Sequence, residues 1–197
     1  MSRRTRLLAV ATLAIAAASV GGGSAAAAEF QFSPGGTITG TSLGPVTFSG
    51  SGITIRCELT LTGTVTTRRV PKVAGTSYGS VTGVTVGACT GGTAAASGLP
   101  WAVTYDAILG ALPDRVSGLA LTLRNTSFTL TFSGISCTYG GNVSSLLAVT
   151  GSNPYTTTLY ALPATSVPLT RGSFFCPSSG SMSGTFGMSP TQTVTRI

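Results

Sequence analysis

Hydrophobic and polar residues alternate along the segment from Ile53 to Thr67. The apolar positions are Ile53, Ile55, Cys57, Leu59, Leu61 and Val65. A period of two places successive side chains on opposite faces of a β-strand. The segment is therefore predicted to be a strand with one apolar face. That face needs a second sheet, or the far wall of a closed sheet, to cover it.

Many other short segments of strand-like sequence are separated by Gly and Pro, and no convincing helix is found. The further strands are predicted at Thr37 to Leu43, Val46 to Phe48, Ser80 to Val86, Trp101 to Tyr105, Val116 to Leu123, Phe128 to Cys137, Ser144 to Thr150, Thr156 to Leu162, Ser173 to Cys176, Ser183 to Met188 and Thr191 to Thr195. Loops or turns are predicted at Gly87 to Gly98, Asp106 to Arg115 and Arg124 to Ser127. This pattern predicts an all-β fold, an antiparallel β-sandwich or flattened barrel of jelly-roll-like type.

The first residues, Met1 to Ala28, have the three regions of a secretory signal peptide. Arginines come first, an apolar run from Leu7 to Val20 follows, and Ala25 to Ala28 offers an A-x-A cleavage site. The apolar run is shorter than the roughly 20 residues of a membrane span. Cleavage would leave residues 29–197 as one secreted, extracellular domain with no transmembrane segment.

Loss of the signal changes the charge. Removal of three arginines lowers the formal net charge from +7 to +4. Such scattered charge does not form a nucleic-acid footprint, so no nucleic-acid partner is expected. Arg68, Arg69 and Lys72 are the one basic cluster, and a solvated turn explains them better than a phosphate site.

Four cysteines, Cys57, Cys89, Cys137 and Cys176, follow the export signal. An even number in an exported chain predicts disulfides, and four cysteines allow three pairings. We favour Cys57–Cys89 and Cys137–Cys176, because each bond would join neighbouring segments. A zinc site is disfavoured, since the chain has no C-x-x-C pair and no histidine.

Three short motifs carry a resemblance to a known family. They are CELTLTGTV from Cys57 to Val65, GAC from Gly87 to Cys89, and GLPW from Gly98 to Trp101. Together they resemble small secreted proteins known as activators of alkane oxidation in pseudomonads. The chain is also similar to uncharacterised exported actinobacterial proteins, which share the later CTYGG motif. The resemblance implies an extracellular or envelope-associated accessory protein, and it brings no catalytic residues with it.

Common catalytic machinery is missing from the sequence. The chain has no histidine, which removes Ser-His-Asp and Cys-His catalysis in their usual forms. The G-x-S-x-G match from Gly75 to Gly79 is predicted to precede a strand rather than a helix, so it is not a nucleophile elbow. Asp106 and Asp114 are the one conceivable carboxylate pair, and the segment between them is apolar. We therefore expect no enzyme activity, no metal and no cofactor.

Two classes of function remain. The first is a structural or interaction protein at the cell surface, whose partner is unknown and whose expected contacts are the cell envelope or an apolar surface. The second is a small-ligand or glycan-binding module that uses aromatic residues such as Trp101 and Tyr105. An exposed Trp101 beside a groove would favour binding, and a buried Trp101 would favour the structural role.

Overall fold

The computed structural model describes residues 29–65, 69–111 and 115–197, and these residues form strands, turns and loops without a helix. The strands are β1 (Glu29–Ser33), β2 (Gly36–Ser42), β3 (Val46–Gly50), β4 (Ile53–Val65), β5 (Arg69–Pro71), β6 (Ser77–Thr90), β7 (Thr93–Ser97), β8 (Trp101–Ala111), β9 (Arg115–Phe132), β10 (Ile135–Thr150), β11 (Tyr155–Arg171), β12 (Ser179–Ser189) and β13 (Thr193–Arg196). The predicted all-β class is confirmed. The predicted signal peptide lies outside the described residues and stays a prediction.

Eight strands form one antiparallel sheet that closes on itself. Its order is β3, β4, β6, β8, β9, β10, β11 and β12, and β12 pairs again with β3. β2 occupies the same place in the ring as β3. It pairs with other residues of the same two neighbours, β4 and β12. Closure leaves few unpaired strand edges and places the inward side chains in one core. Of the two predicted architectures, the closed sheet is the one observed.

The strands nearest the two chain ends lie outside this ring. β1 pairs with β5 and with β13, and β13 pairs with the start of β11. Phe32 of β1 packs against Tyr78 with ring centroids 4.5 Å apart. The buried Gln192 accepts a hydrogen bond from Tyr78 Oη at 2.8 Å and donates one to the Pro34 carbonyl at 2.9 Å. These contacts attach β1 and β13 to the core with their buried polar atoms paired.

The central strand β4 has the burial that its sequence predicts. The apolar positions Ile55, Cys57, Leu59, Leu61 and Val65 are buried, and the positions between them are exposed or partly exposed. β4 pairs with β3 and β2 along one side and with β6 along the other. The predicted antiparallel return of the chain after β4 is thereby confirmed. Burial of one face explains why this strand holds a fixed register.

Leu59→Ala is expected to lower the free energy of unfolding by about 2–5 kcal/mol, because Leu59 is buried and truncation leaves a cavity. Thr60→Ala, on the opposite face, is expected to cost less than about 1 kcal/mol. Urea denaturation of the two variants checks the difference. Equal and large losses would show that β4 is buried on both faces.

β9 corrects the prediction of two strands joined by a turn at Arg124 to Ser127. The chain runs through this segment without turning, and Asn125 adopts a φ of 55°. The register with β10 shifts between Gly141 and Val143, so the extra residue forms a β-bulge. The real turn follows Phe132 at Ser133 and Gly134, where φ is 48° and 78°. Two positive φ values are typical of a type I′ hairpin turn.

Three further predictions of local structure are wrong. The predicted loop from Gly87 to Gly98 contains the end of β6 and all of β7. The small residues of β7 have low strand propensity, but backbone pairing with β9 stabilises them as a strand. Asp106 lies within β8 rather than in a loop. The predicted strand from Ser173 to Cys176 is a loop between β11 and β12.

Both predicted disulfides are present. Cys57 bonds Cys89 across β4 and β6, and Cys137 of β10 bonds Cys176 in the loop after β11. The first bond joins residues that face each other in the sheet register. The second attaches a loop that has no strand pairing of its own. Two disulfides are consistent with an oxidising compartment.

Candidate functional site: an exposed aromatic loop

The two aromatic residues that the sequence suggested for binding lie in the core. Trp101 is 1% exposed, packs 4.8 Å from the Phe128 ring, and donates an indole hydrogen bond of 2.9 Å to the Ser97 carbonyl. Tyr105 is 5% exposed and lies 6.1 Å from the Phe30 ring. By the criterion set above, the burial of Trp101 favours the structural role.

Some of the described charged side chains have local partners. Asp106 forms an ion pair of 3.7 Å with Arg124 and accepts a hydrogen bond from Thr122, while its suggested partner Asp114 lies outside the described residues. Lys72 lies 5.0 Å above the Phe30 ring, and burial together with Arg196 lowers the pKa of Lys72. Within residues 29–65, 69–111 and 115–197, no three His, Cys, Asp or Glu side chains cluster as they would around a metal ion.

The most exposed aromatic side chains of the described residues stand next to each other in the loop between β11 and β12. Phe174 is 97% exposed and Phe175 is 71% exposed, whereas all five tyrosines are buried. The two phenylalanine rings make an edge contact, with centroids 5.9 Å apart. We call residues 172–178 the aromatic loop. These two phenylalanines form an exposed apolar pair, which makes the aromatic loop a candidate surface for apolar contact.

The base of the aromatic loop is fixed at several points. Cys176 is bonded to the fully buried Cys137, and its N–H donates to the Ser173 carbonyl at 3.0 Å. The Leu169 N–H donates to the Ser178 carbonyl at 2.8 Å, which holds the two ends of the loop together. These contacts keep Phe174 and Phe175 outside the core, because Cys176 is held in the core directly after them.

Glycine is required at the entrance of the aromatic loop. A Cβ atom built on Gly172 would lie 2.5 Å from the Cys176 sulfur, which is closer than real contacts allow. The absence of a side chain at Gly172 therefore lets the chain fold back to the disulfide within four residues. The aromatic loop is short for this reason, and its tip consists of Ser173, Phe174 and Phe175.

The surface beside the aromatic loop carries positive charge. Arg171 ends β11 directly before the loop, is exposed, and makes no ion pair within the part of the chain that the structure describes. Residues 172–178 contain no acidic residue. An apolar tip beside a cation suits an apolar surface with neutral or negative charge at its boundary.

The sequence has one feature that indicates an exposed loop at this position rather than a strand. Phe174 and Phe175 are adjacent, so in a strand they would point to opposite faces. One of them would then need burial on a face that is otherwise polar. A pair of phenylalanines between Gly172 and the sequence Cys176-Pro177 fits an exposed turn attached by a disulfide better than it fits a strand.

Comparison with known proteins gives one positive result. A family model described as alkane oxidation protein activator, PraA/PraB-like, matches residues 1–196. The chain belongs to this family. The resemblance carried by the three motifs is thus confirmed, and it extends over almost the whole chain. Comparison with curated proteins and comparison with solved structures both gave no match.

Membership of the PraA/PraB-like family fits an accessory role. The family description is that of an activator, which is compatible with a protein that assists other components. The family description names no functional residues, so the candidate site rests on the structure of the aromatic loop. Among the described residues of this family member, no helix is both long and apolar enough to cross a membrane.

Proposed function

We propose that this PraA/PraB-like protein is a non-catalytic, secreted or cell-surface accessory protein that contacts apolar interfaces through the aromatic loop. The observation that carries the proposal is the pair Phe174 and Phe175, both exposed and held outward by the Cys137–Cys176 bond. Such a loop resembles a small apolar anchor on a rigid domain. The family description, which concerns oxidation of alkanes, agrees with an apolar partner.

The free energy available from burying the two phenylalanine side chains predicts weak adsorption of each single molecule. Transfer of one phenylalanine side chain from water to an apolar environment is worth about 1.5–3 kcal/mol, so the pair offers at most about 3–6 kcal/mol. Immobilising the protein at the interface uses part of this energy. A single copy would therefore adsorb reversibly, while many copies on one droplet or cell surface would act together.

Export and the absence of catalysis belong to the same proposal. The disulfides suit an oxidising compartment outside the cytoplasm, and the first 28 residues have the pattern of a signal peptide. The sequence has no histidine and only four acidic residues, which limits general acid–base chemistry. The alternative of a glycan-binding module is less well supported, because Trp101 and Tyr105 are buried.

The double variant Phe174→Ser/Phe175→Ser is expected to adsorb to hexadecane droplets about tenfold or more weakly than the wild type, because it loses the apolar tip. The measurement is depletion of purified protein from the aqueous phase as droplet area increases. A parallel assay on cell-wall polysaccharide tests the glycan-binding alternative.

A matched control removes two exposed apolar side chains elsewhere. Leu43 is 64% exposed and Val73 is 57% exposed, so Leu43→Ser/Val73→Ser changes surface hydrophobicity without touching the aromatic loop. This control is expected to adsorb like the wild type. Equal weakening in both double variants would show general surface hydrophobicity rather than a defined site. Binding to polysaccharide alone would favour the glycan-binding module.

A further inference from the structure

Four adjacent strands of the closed sheet lose their alternation of apolar and polar positions in one region. The sequence there is AIL in β8, LAL in β9, LLAV in β10 and LYAL in β11. Consecutive apolar residues of a strand place apolar side chains on both of its faces. The inward residues belong to the core, so the outward ones form a second apolar surface on the outside of the sheet.

The register of these strands aligns the outward residues into two rows. The first row is Ala107, Ala120, Leu146 and Ala161, and the second is Leu109, Gly118, Ala148 and Leu159. Neighbouring members of a row lie on paired strands, about 4.8 Å apart. Leu109 and Leu159 are 38% and 37% exposed, so the second row is open to solvent at both of its ends.

The first row leads into an open groove of about 540 Å³. Leu146 and Ala161 line this groove together with Leu43 and Pro45, which belong to the connection between β2 and β3. The Leu43 N–H donates a hydrogen bond of 2.8 Å to the Thr185 carbonyl, which attaches the connection to β12. The connection therefore forms a fixed wall of the groove.

A β-bulge lies at the edge of the groove. The register between β11 and β12 shifts between Leu162 and Thr165, so β11 has an extra residue at Pro163 and Ala164. Leu162 and Pro163 both line the groove. Because a bulge bends its strand, it contributes to the concave shape of the surface here.

The lining of the groove is aliphatic and neutral. Within the part of the chain that the structure describes, no charged residue and no aromatic residue lines it. Thr47 and Ser183, which lie opposite each other in β3 and β12, supply hydroxyl groups to one part of the lining. A ligand that matches this surface is an aliphatic molecule with a neutral polar end.

The size of the apolar surface favours a small ligand over a second copy of the chain. Two rows across four strands cover about 20 Å by about 13 Å, or roughly 250 Å². A stable protein–protein interface buries about 800 Å² on each partner. By contrast, the groove volume of about 540 Å³ lies within the range of about 300–1,000 Å³ that is usual for sites of small molecules.

The volume also limits the length of the ligand. A cavity of about 150 Å³ holds benzene, which has six heavy atoms, so about 540 Å³ would hold roughly 20 heavy atoms if it were filled. The groove is open on one side, where water remains. A chain of about ten heavy atoms fits the covered part of the groove.

We propose that this groove binds a single unbranched aliphatic chain of about ten heavy atoms with a neutral polar end. The chain packs against Leu43, Leu146 and Ala161, and its polar end lies beside Thr47 and Ser183. The site is separate from the aromatic loop. It does not rest on the proposed adsorption, because it takes up one dissolved chain rather than a bulk phase.

1-Octanol is the probe, and 1-adamantanol, a compact cage alcohol of comparable size, is the control ligand. Each is titrated into protein that carries ¹³C-labelled leucine methyl groups, and NMR follows the shifts. We expect saturable shifts with 1-octanol at Leu43, Leu146 and Leu162, and none at Leu59 on the inward face of β4. 1-Adamantanol is expected to give no saturable shift.

Variants with matched controls test whether the groove is the site. Ala161→Asp places a charge in the groove and should weaken 1-octanol binding about tenfold or more, whereas Ala95→Asp on β7 should not change it. Leu43→Ser removes part of the wall and should weaken binding about threefold or more, whereas Val73→Ser should not. Circular dichroism checks that each variant is folded.

Several results would overturn the proposal. They are shifts that do not saturate, equal affinity of the wild type, Ala161→Asp and Leu43→Ser, and equal binding of the two alcohols. Sedimentation velocity without alcohol tests the alternative occupant. Self-association that Ala161→Asp abolishes, in a protein that does not bind 1-octanol, would overturn the proposal and assign this surface to a second copy of the chain.

Discussion

Trp101→Ala is expected to lower the free energy of unfolding by about 3–5 kcal/mol. The indole is 1% exposed, packs against Phe128 and satisfies its N–H at the Ser97 carbonyl. Truncation removes the largest side chain of the core and leaves a cavity between β8 and β9. Thermal and urea unfolding followed by far-ultraviolet circular dichroism measure the loss. Tryptophan fluorescence cannot follow the unfolding of Trp101→Ala, because Trp101 is the one tryptophan of the chain.

Trp101→Phe is the matched control. It keeps most of the aromatic volume and loses the hydrogen bond to Ser97, so we expect a clearly smaller loss than for alanine. Wild-type fluorescence should have the short-wavelength emission of a buried indole. A loss below about 1 kcal/mol for Trp101→Ala would mean that the ring does not support the core. In that case Trp101 would again be a candidate binding residue.

The parts of the fold that the sequence predicted well are those where one physical requirement dominates. β4 was predictable because the alternation of Ile55, Cys57, Leu59 and Leu61 can be satisfied only by a strand with one buried face. The disulfides were predictable because chain neighbours pair in antiparallel sheets, which brings Cys57 opposite Cys89. In both cases local pattern and tertiary structure agree.

The errors occur where long-range pairing overrides local preference. The sequence around Asn125 favours a turn, yet strands on both sides of β9 hold the segment extended and the extra residue becomes a bulge. The small residues of β7 have low strand propensity and are nevertheless paired with β9. Closure of the sheet determines the conformation of both segments. Closure depends on all eight strands, so it cannot be read from a short stretch of sequence.

The candidate site shows the same limit. The sequence suggested Trp101 and Tyr105, because aromatic residues are frequent in binding sites, but a core of this kind also uses its largest rings to fill volume. Strand patterning predicts Phe174 and Phe175 within a strand, whereas their exposure depends on the Cys137–Cys176 bond and on Gly172.

Removal of the Cys137–Cys176 bond is expected to lower the free energy of unfolding and also to weaken adsorption. The bond joins residues 39 positions apart. On the chain-entropy model, a crosslink of this span stabilises the fold by about 4 kcal/mol, within the typical range of about 2–5 kcal/mol. In the Cys137→Ala/Cys176→Ala variant the ends of the aromatic loop keep the Leu169–Ser178 hydrogen bond, but Cys176 is no longer attached to β10. Phe174 and Phe175 then lose their fixed orientation, so adsorption to hexadecane pays an additional ordering cost.

The Cys57→Ala/Cys89→Ala variant separates the two effects. Its bond spans 32 positions, so its stabilisation on the same model is nearly equal, but β4 and β6 contribute nothing to the aromatic loop. Both variants are compared by urea denaturation and then, at a temperature where both are folded, by depletion onto hexadecane droplets. We expect similar losses of stability and weakened adsorption for Cys137→Ala/Cys176→Ala alone. Equal adsorption by the two folded variants would show that the phenylalanine pair works without its disulfide, and that loop rigidity is not part of the site.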